Sequence, residues 1–170
     1  MASRVLRAIP LAILVFIVYI IYTGSATIYD IVTGIIAAAL SSLLMANITI
    51  EKPGKALNPV RWGWGIAYAI YYFFVAEVKA HLDVTKRILS PSMPIRPGIV
   101  RVPYRVESDY AITAVANSIT NTPGTVVVDI DPQKRLFYVH WIDVASLEPE
   151  ECRKQISEDF ERFASRVFDG

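Results

Sequence analysis

The sequence predicts a membrane-embedded α-helical N-terminal part, with two to three hydrophobic helices, followed by a small α+β domain of order β-α-β-β-α. Three observations predict this. First, the charges are sorted along the chain. Of 17 basic and 16 acidic residues, only Arg4, Arg7, Lys52, Lys55, Arg61, Asp30 and Glu51 fall within the first 76 positions. Second, the runs 8–29 and 31–50 hold no charge over 22 and 20 residues, and about 20 apolar residues cross a hydrocarbon core. Third, after Pro91, Pro94 and Pro97 the pattern turns to the alternation of strands and short helices. The boundary implied is 1–90 for the membrane part and 91–170 for the small domain.

The same figures exclude several classes. A wholly soluble or disordered chain does not carry two such runs, and the residues left outside the bilayer are too few for a large enzyme. A single cysteine leaves no disulfide framework and no cysteine-based zinc site. A net charge of +1 without a basic run argues against nucleic acid as a partner.

The first helix is expected over about 5–23, behind Arg4 and Arg7. A cleaved signal peptide would share that basic start, with Gly24-Ser25-Ala26 as its small-residue site, but a second apolar segment directly behind it favours a retained helix. The second helix is expected over 27–48. Its Gly34, Ala38, Ser42 and Ala46 recur every fourth residue and so form one stripe. Such a stripe lets another helix approach closely in lipid, although alanine-rich helices also produce stripes by chance. Asp30 lies one turn into this helix. An acid near lipid depth is a candidate for an ion path, but one turn into the helix it reads first as a residue among headgroups or at a positive helix end. No other acid, lysine or histidine lies in the two segments, so no proton relay can be drawn through this chain alone.

The third segment, 62–89, is uncharged only to Ala76 and is short for a crossing. Trp62, Trp64, Tyr68, Tyr71 and Tyr72 are residue types that favour the membrane–water interface. The helix can run on to Leu89, where Ser90-Pro91 stops it. Arg4, Arg7, Lys52, Lys55 and Arg61 place the N-terminus and the second loop in the cytoplasm. Whether the third segment crosses then decides the side on which the C-terminal half lies.

Beyond it, Val100, Val102, Tyr104 and Val106 alternate with Arg101 and Arg105 as a half-buried strand. Pro103 lacks an N–H and puts that strand at an edge. Ser108 can cap a helix with Ile112, Val115, Ala116 and Ile119 inward. Pro123-Gly124 turns the chain. Positions 125–130 and 136–142 pair through the turn at 131–134. One last helix begins near Pro149 and carries Cys152, Ile156, Phe160, Phe163 and Val167 on one stripe. This order resembles an incomplete ferredoxin-like split unit. At about 75 residues it is marginal alone and suited to docking on something else.

Catalytic chemistry is sparse. Cys152 falls on a core stripe. His81 and His140 have no cysteine or acid at ligand spacing, and Gly63-x-Gly65 lacks a third glycine and a preceding strand. No catalytic residue, metal or cofactor is expected. The denser feature is Asn117, Ser118, Thr120, Asn121, Thr122, Pro123 and Gly124, which read either as capping and turn chemistry or as a surface contacted by another subunit.

The segments Ile95-Arg96-Pro97-Gly98-Ile99-Val100, Ala116-Asn117-Ser118-Ile119-Thr120 running into Thr122-Pro123-Gly124-Thr125, and Tyr138-Val139-His140 resemble the E subunit of Mrp-type Na+/H+ antiporters, including its counterparts in membrane-bound hydrogenase and sulfane reductase complexes. The resemblance covers the chain in layout and is most specific over 95–144. The family usually has Leu where Asn121 stands. The resemblance implies a non-catalytic structural and assembly subunit in the cell (plasma) membrane. Other membrane subunits and the lipid bilayer would be its partners, and its C-terminal domain would be cytoplasmic. The rival expectations are the same subunit in a redox-driven hydrogenase or sulfane reductase complex, and a stand-alone membrane-anchored binding module.

Overall fold

The computed structural model describes residues 2–49 and 53–169. Helix α1 covers Ala2–Thr23 and α2 covers Ile28–Thr49. Gly24 ends α1 with φ +64°, its N–H donating to the Ile20 carbonyl at 3.2 Å. A left-handed residue just past a helix end is glycine's usual place. The two helices pack side by side, and their outward side chains are hydrocarbon. Ile13, Leu14, Ile17, Val18 and Ile21 on α1, and Val32, Ile35, Ile36, Leu40 and Leu44 on α2, are all exposed. A surface of this kind belongs in lipid rather than water. The stretch Ile28–Met45 is long and apolar enough to cross a membrane, while Arg7–Thr23 is a shorter apolar helix. A short helix, α3, covers Pro53–Ala56. Among the residues used above, Glu51, Lys52 and the side chains of Arg4 and Ala46 lie outside the described set.

The chain divides into two compact units, 1–59 and 60–170. The second therefore begins well before residue 91, where the charge pattern suggested a boundary. Helix α4, Pro59–Tyr71, passes through a π-helical turn, Tyr72–Ala76, into α5, Glu77–Leu89. The three form one rod of 31 residues, roughly 46 Å at 1.5 Å per residue. It ends at Ser90, ahead of Pro91, as the sequence suggests.

The remaining elements are β1 (Gly98–Pro103), α6 (Asp109–Asn121), β2 (Thr125–Asp131), β3 (Leu136–Trp141), α7 (Pro149–Ile156) and α8 (Glu158–Ala164). A π-helical turn, Ser165–Asp169, closes the described chain. The sheet has the order β1-β3-β2 with both pairs antiparallel. Val100 sits opposite Val139 and Val102 opposite Phe137. Pro103 is on an edge strand, where its missing N–H costs no ladder bond. A register irregularity between Val127 and Asp129 interrupts the pairing of β2.

One sheet face and the helices enclose a core that includes Val102, Val106, Val115, Ile119, Phe137, Val139 and Cys152, each fully buried. Ser108 caps α6 by accepting from the Ala111 N–H at 3.2 Å. Asp169 in turn accepts from the Ser108 N–H and hydroxyl at 2.8 and 2.6 Å.

The single last helix expected from the apolar stripe is two helices. Ser157, at φ −120° and ψ −23°, breaks it. Its hydroxyl is turned inward onto Glu161 Oε1 at 2.6 Å. The reorientation lets α8 continue toward the rod while α7 stays against β1.

Candidate functional site

Three places carry the residues singled out by sequence. The first is the α1–α2 contact. Gly34, Ala38 and Ser42 are buried, and Gly34 meets the chain's own first helix. A Cβ added at Gly34 would lie 2.8 Å from Tyr19 Cδ1 and 3.1 Å from Phe16 Cε2. Beside it the Tyr19 hydroxyl and Thr33 Oγ1 are 2.7 Å apart, and Thr33 donates to the Tyr29 carbonyl at 2.7 Å. The Ser42 hydroxyl is spent on the Ala39 carbonyl.

Asp30 lies at the start of α2. Its Oδ2 accepts from Ser25 Oγ at 2.7 Å, from Thr27 Oγ1 at 2.6 Å and from the Thr27 N–H at 3.1 Å. Thr27 Oγ1 accepts from the Asp30 N–H at 3.3 Å. This is the reciprocal capping arrangement of a helix start, with an acid near its positive end. All these bonds are local to the turn.

The second place is the end of α6. Ser118 and Thr122 are buried, whereas Asn117, Thr120 and Asn121 are exposed. Thr122 donates to the Ser118 carbonyl, Thr125 donates to the Ile119 carbonyl, and Thr120 Oγ1 accepts from the Val127 N–H at 3.2 Å. Gly124 has φ +97°, and an added Cβ would meet Ile142 Cγ2 at 3.1 Å. Most of the segment thus terminates α6 and positions β2. Asn117 and Thr120 line an open groove of about 360 Å³ with Ala116, Val127, Asp129 and Ile130. The groove and the exposed Asn121 leave that side of the segment open to solvent.

The third place is the inner face of the rod, which sequence reasoning left at the membrane interface. Tyr68 stacks on Phe163 with centroids 5.7 Å apart, and Tyr71 lies 5.0 Å from the same ring. Arg166 sits 4.1 Å over the Trp64 ring. Polar clips accompany the rings. Tyr68 Oη and Ser118 Oγ are 2.6 Å apart, Tyr71 donates to Asp159 Oδ2 at 2.6 Å, and Arg61 donates to the Val167 carbonyl at 2.9 Å. At the far end Arg87 donates to Asp143 Oδ2 at 2.7 Å, and Arg96 donates to Asp143 Oδ1 at 2.8 Å. The Arg96 and Arg87 guanidiniums hold the Asp143 carboxyl below its ordinary range.

Sequence reasoning also missed a buried acid. Glu161 is 4% exposed. It accepts from Ser157 Oγ and from the Arg105 N–H at 2.8 Å, with Arg153 Nε 3.3 Å from Oε1. The i, i+4 spacing from Ser157 to Glu161 was visible; the partner on β1's end was not.

Cys152 is fully buried and donates to the Ser146 carbonyl at 3.1 Å. Burial, followed by nearby Glu148, pushes its thiol up, away from thiolate chemistry. Among the described residues, no group of three His, Cys, Asp or Glu side chains is placed to hold a metal ion. The chemistry on view is packing and clasping.

Comparison with known proteins agrees in kind. A solved chain in the structure of the membrane-bound sulfane sulfur reductase, an archaeal respiratory membrane complex, is 33% identical. It superposes with a TM-score of 0.84 over 95% of this chain and 99% of that one. The E subunit of the Na(+)/H(+) antiporter of Alkalihalophilus pseudofirmus is 38% identical over 99 residues, 58% of this chain and 61% of that protein. Its namesake in Bacillus subtilis is 35% identical over 56% of this chain and 60% of its own length. The chain thus spans about three fifths of the length of these two relatives. The E1 subunit of the Staphylococcus epidermidis antiporter is 31% identical over 81% of this chain and 84% of that protein. A family described as "Na+/H+ ion antiporter subunit" matches residues 12–167, and the chain belongs to that family.

Proposed function

We propose that this chain is a non-catalytic structural and assembly subunit of a Mrp-type Na+/H+ antiporter complex. The observation that carries the reading is the family match over residues 12–167. The geometry supports it in kind: Asp30, Tyr71 and Asp143 are engaged in a cap, a clip and ion pairs, and the outward apolar surface of α1 and α2 suits lipid and neighbouring membrane helices. In this reading α1 and α2 anchor the subunit as a multi-pass membrane protein. The second unit lies in the cytoplasm, on the side of Arg7, Lys55 and Arg61. Its β1-α6-β2-β3-α7 order with sheet order β1-β3-β2 is read as a ferredoxin-like split unit. The exposed Asn117, Thr120 and Asn121 make a subunit contact, and Asp30 serves as a cap rather than an ion-path residue.

A second reading places the chain in a redox-driven respiratory complex. The likeness to the sulfane reductase chain, with its TM-score of 0.84 over nearly the whole length, favours it specifically. Purifying the chain from native membranes in mild detergent and identifying what comes with it separates the readings. Large antiporter subunits without redox centres support the first. Bound iron–sulfur or nickel–iron centres support the second. A monodisperse single chain overturns both.

A further inference from the structure

The rod of α4, the π-helical turn and α5 has two faces. Trp64, Tyr68, Tyr71, Ala76 and Arg87 lie against the C-terminal elements or clip to them. The opposite face carries Ile66, Ile70, Phe73, Val78, Leu82 and Leu89, each 49–76% exposed. This is a hydrocarbon stripe along almost the whole rod, larger than scattered surface leucines explain.

Three observations say what covers it. The clips from Arg61 to Arg87 hold a charged domain along ~39 Å of the rod, more than the roughly 30 Å hydrocarbon core. Arg162 and Asp159 of that domain, beside Tyr71, are 57% and 53% exposed. A rod so loaded does not cross a bilayer, because those charges would cross with it. The rod also starts only ten residues after α2 ends, so the chain keeps it near the membrane that α2 enters. Finally, Lys79 and Lys86 lie three and four residues from Leu82, and both are exposed. Among the described residues neither makes an ion pair, whereas the acids of α5 are engaged: Glu77 with Tyr72 and His81, Asp83 with Arg87. Two free cations beside an apolar stripe complement anionic headgroups.

We infer that the rod lies along the bilayer surface. Its stripe sits in the headgroup–acyl boundary, and Lys79 and Lys86 meet anionic phospholipid. The inference rests on membrane attachment and not on which complex the chain joins. The subunit-identification result and the one below therefore fail separately.

The test uses the full chain with Phe73→Cys, Leu82→Cys or, as an aqueous reference, Gln133→Cys. Each is labelled with an environment-sensitive fluorophore; buried Cys152 stays unlabelled. In vesicles of phosphatidylcholine with phosphatidylglycerol, both rod labels should be quenched about twofold more by doxyl groups near the headgroup than by those near the chain end. Iodide quenching should fall about fivefold below that at residue 133. Omitting phosphatidylglycerol should raise iodide quenching at Leu82 about threefold. Iodide access equal to residue 133 overturns the inference, as does preferential quenching of Phe73 by chain-end doxyl groups. So does loss of both iodide and lipid quenching in the natively purified complex, which would mean that a neighbouring subunit covers the stripe.

Discussion

Gly34→Ala is the sharpest probe of the helical hairpin. The added Cβ would lie 2.8 Å from Tyr19 Cδ1 and 3.1 Å from Phe16 Cε2. Carbon atoms settle at about 3.5–4.0 Å, so the Tyr19 ring must retreat by roughly 0.7–1.2 Å. It is not free to do so, because its hydroxyl is held to Thr33 Oγ1 at 2.7 Å. Either the helices separate or that bond stretches. Overpacking of this kind costs about 1–3 kcal/mol. The assay is a denaturing-detergent titration of the full chain in bicelles, read by energy transfer between dyes at Val5→Cys and Met45→Cys. In a background that carries both Phe16→Ala and Tyr19→Ala the clash is gone and only helix propensity remains. There the same substitution should stabilise by about 0.5–1 kcal/mol. A change below about 0.5 kcal/mol in the parent, or the same sign in both backgrounds, refutes the claim that this contact sets the helix spacing.

Tyr68→Phe removes the partner of the buried Ser118 hydroxyl and should lower the stability of the second unit by about 1 kcal/mol; a urea midpoint measured in detergent checks it. Glu161→Ala takes the acceptor from the buried Ser157 hydroxyl and the Arg105 N–H, while Arg153 keeps Glu158 and Glu150; it should cost about 1–3 kcal/mol by the same titration, with Glu161→Gln costing less. The depressed carboxyl of Asp143 sets a pH dependence. Its folded-state pKa is below the unfolded value of about 3.9, so its contribution is complete above that value. It is lost as pH falls through the folded pKa. The urea midpoint should drop more steeply below about pH 4 than that of Asp143→Asn, and parallel curves would refute the pairing.

Local features were readable wherever one or two residues decide the outcome. Ser90-Pro91 ends the rod, Ser108 caps α6, Gly124 takes the positive φ of the turn, and Pro103 sits on an edge strand. Gly34 lies in a close helix contact, against Phe16 and Tyr19, but the spacing of small residues alone does not say which helix arrives. Long-range pairs stayed hidden for the same reason. Tyr68 and Ser118 are 50 positions apart, Arg87 and Asp143 56, and Arg61 and Val167 106. The aromatic run 62–72 was ambiguous on physical grounds. Trp and Tyr combine an apolar body with a polar tip, which suits a membrane interface and equally a half-buried protein contact. Here the tips of Tyr68 and Tyr71 found Ser118 and Asp159.

The rod also accounts for how so small a domain holds together. A sheet of three strands with three short helices buries too little surface to be comfortably stable by itself. The rings of Trp64, Tyr68 and Tyr71 add a second apolar layer over Phe160 and Phe163. Clips at each end, Arg61 to Val167 and Arg87 to Asp143, keep the rod from sliding along that layer. The π-helical turn at Tyr72–Ala76 shifts the helix phase so that Tyr71 and Tyr72 both face Phe160, and Ala76 continues the contact. Without that extra residue per turn, a straight α-helix of this length would rotate its contact face away from the domain. The rod is thus part of the domain's core on one face and an uncovered apolar surface on the other. Substitutions on its inner face should act through folding, and those on its outer face through whatever the subunit rests upon.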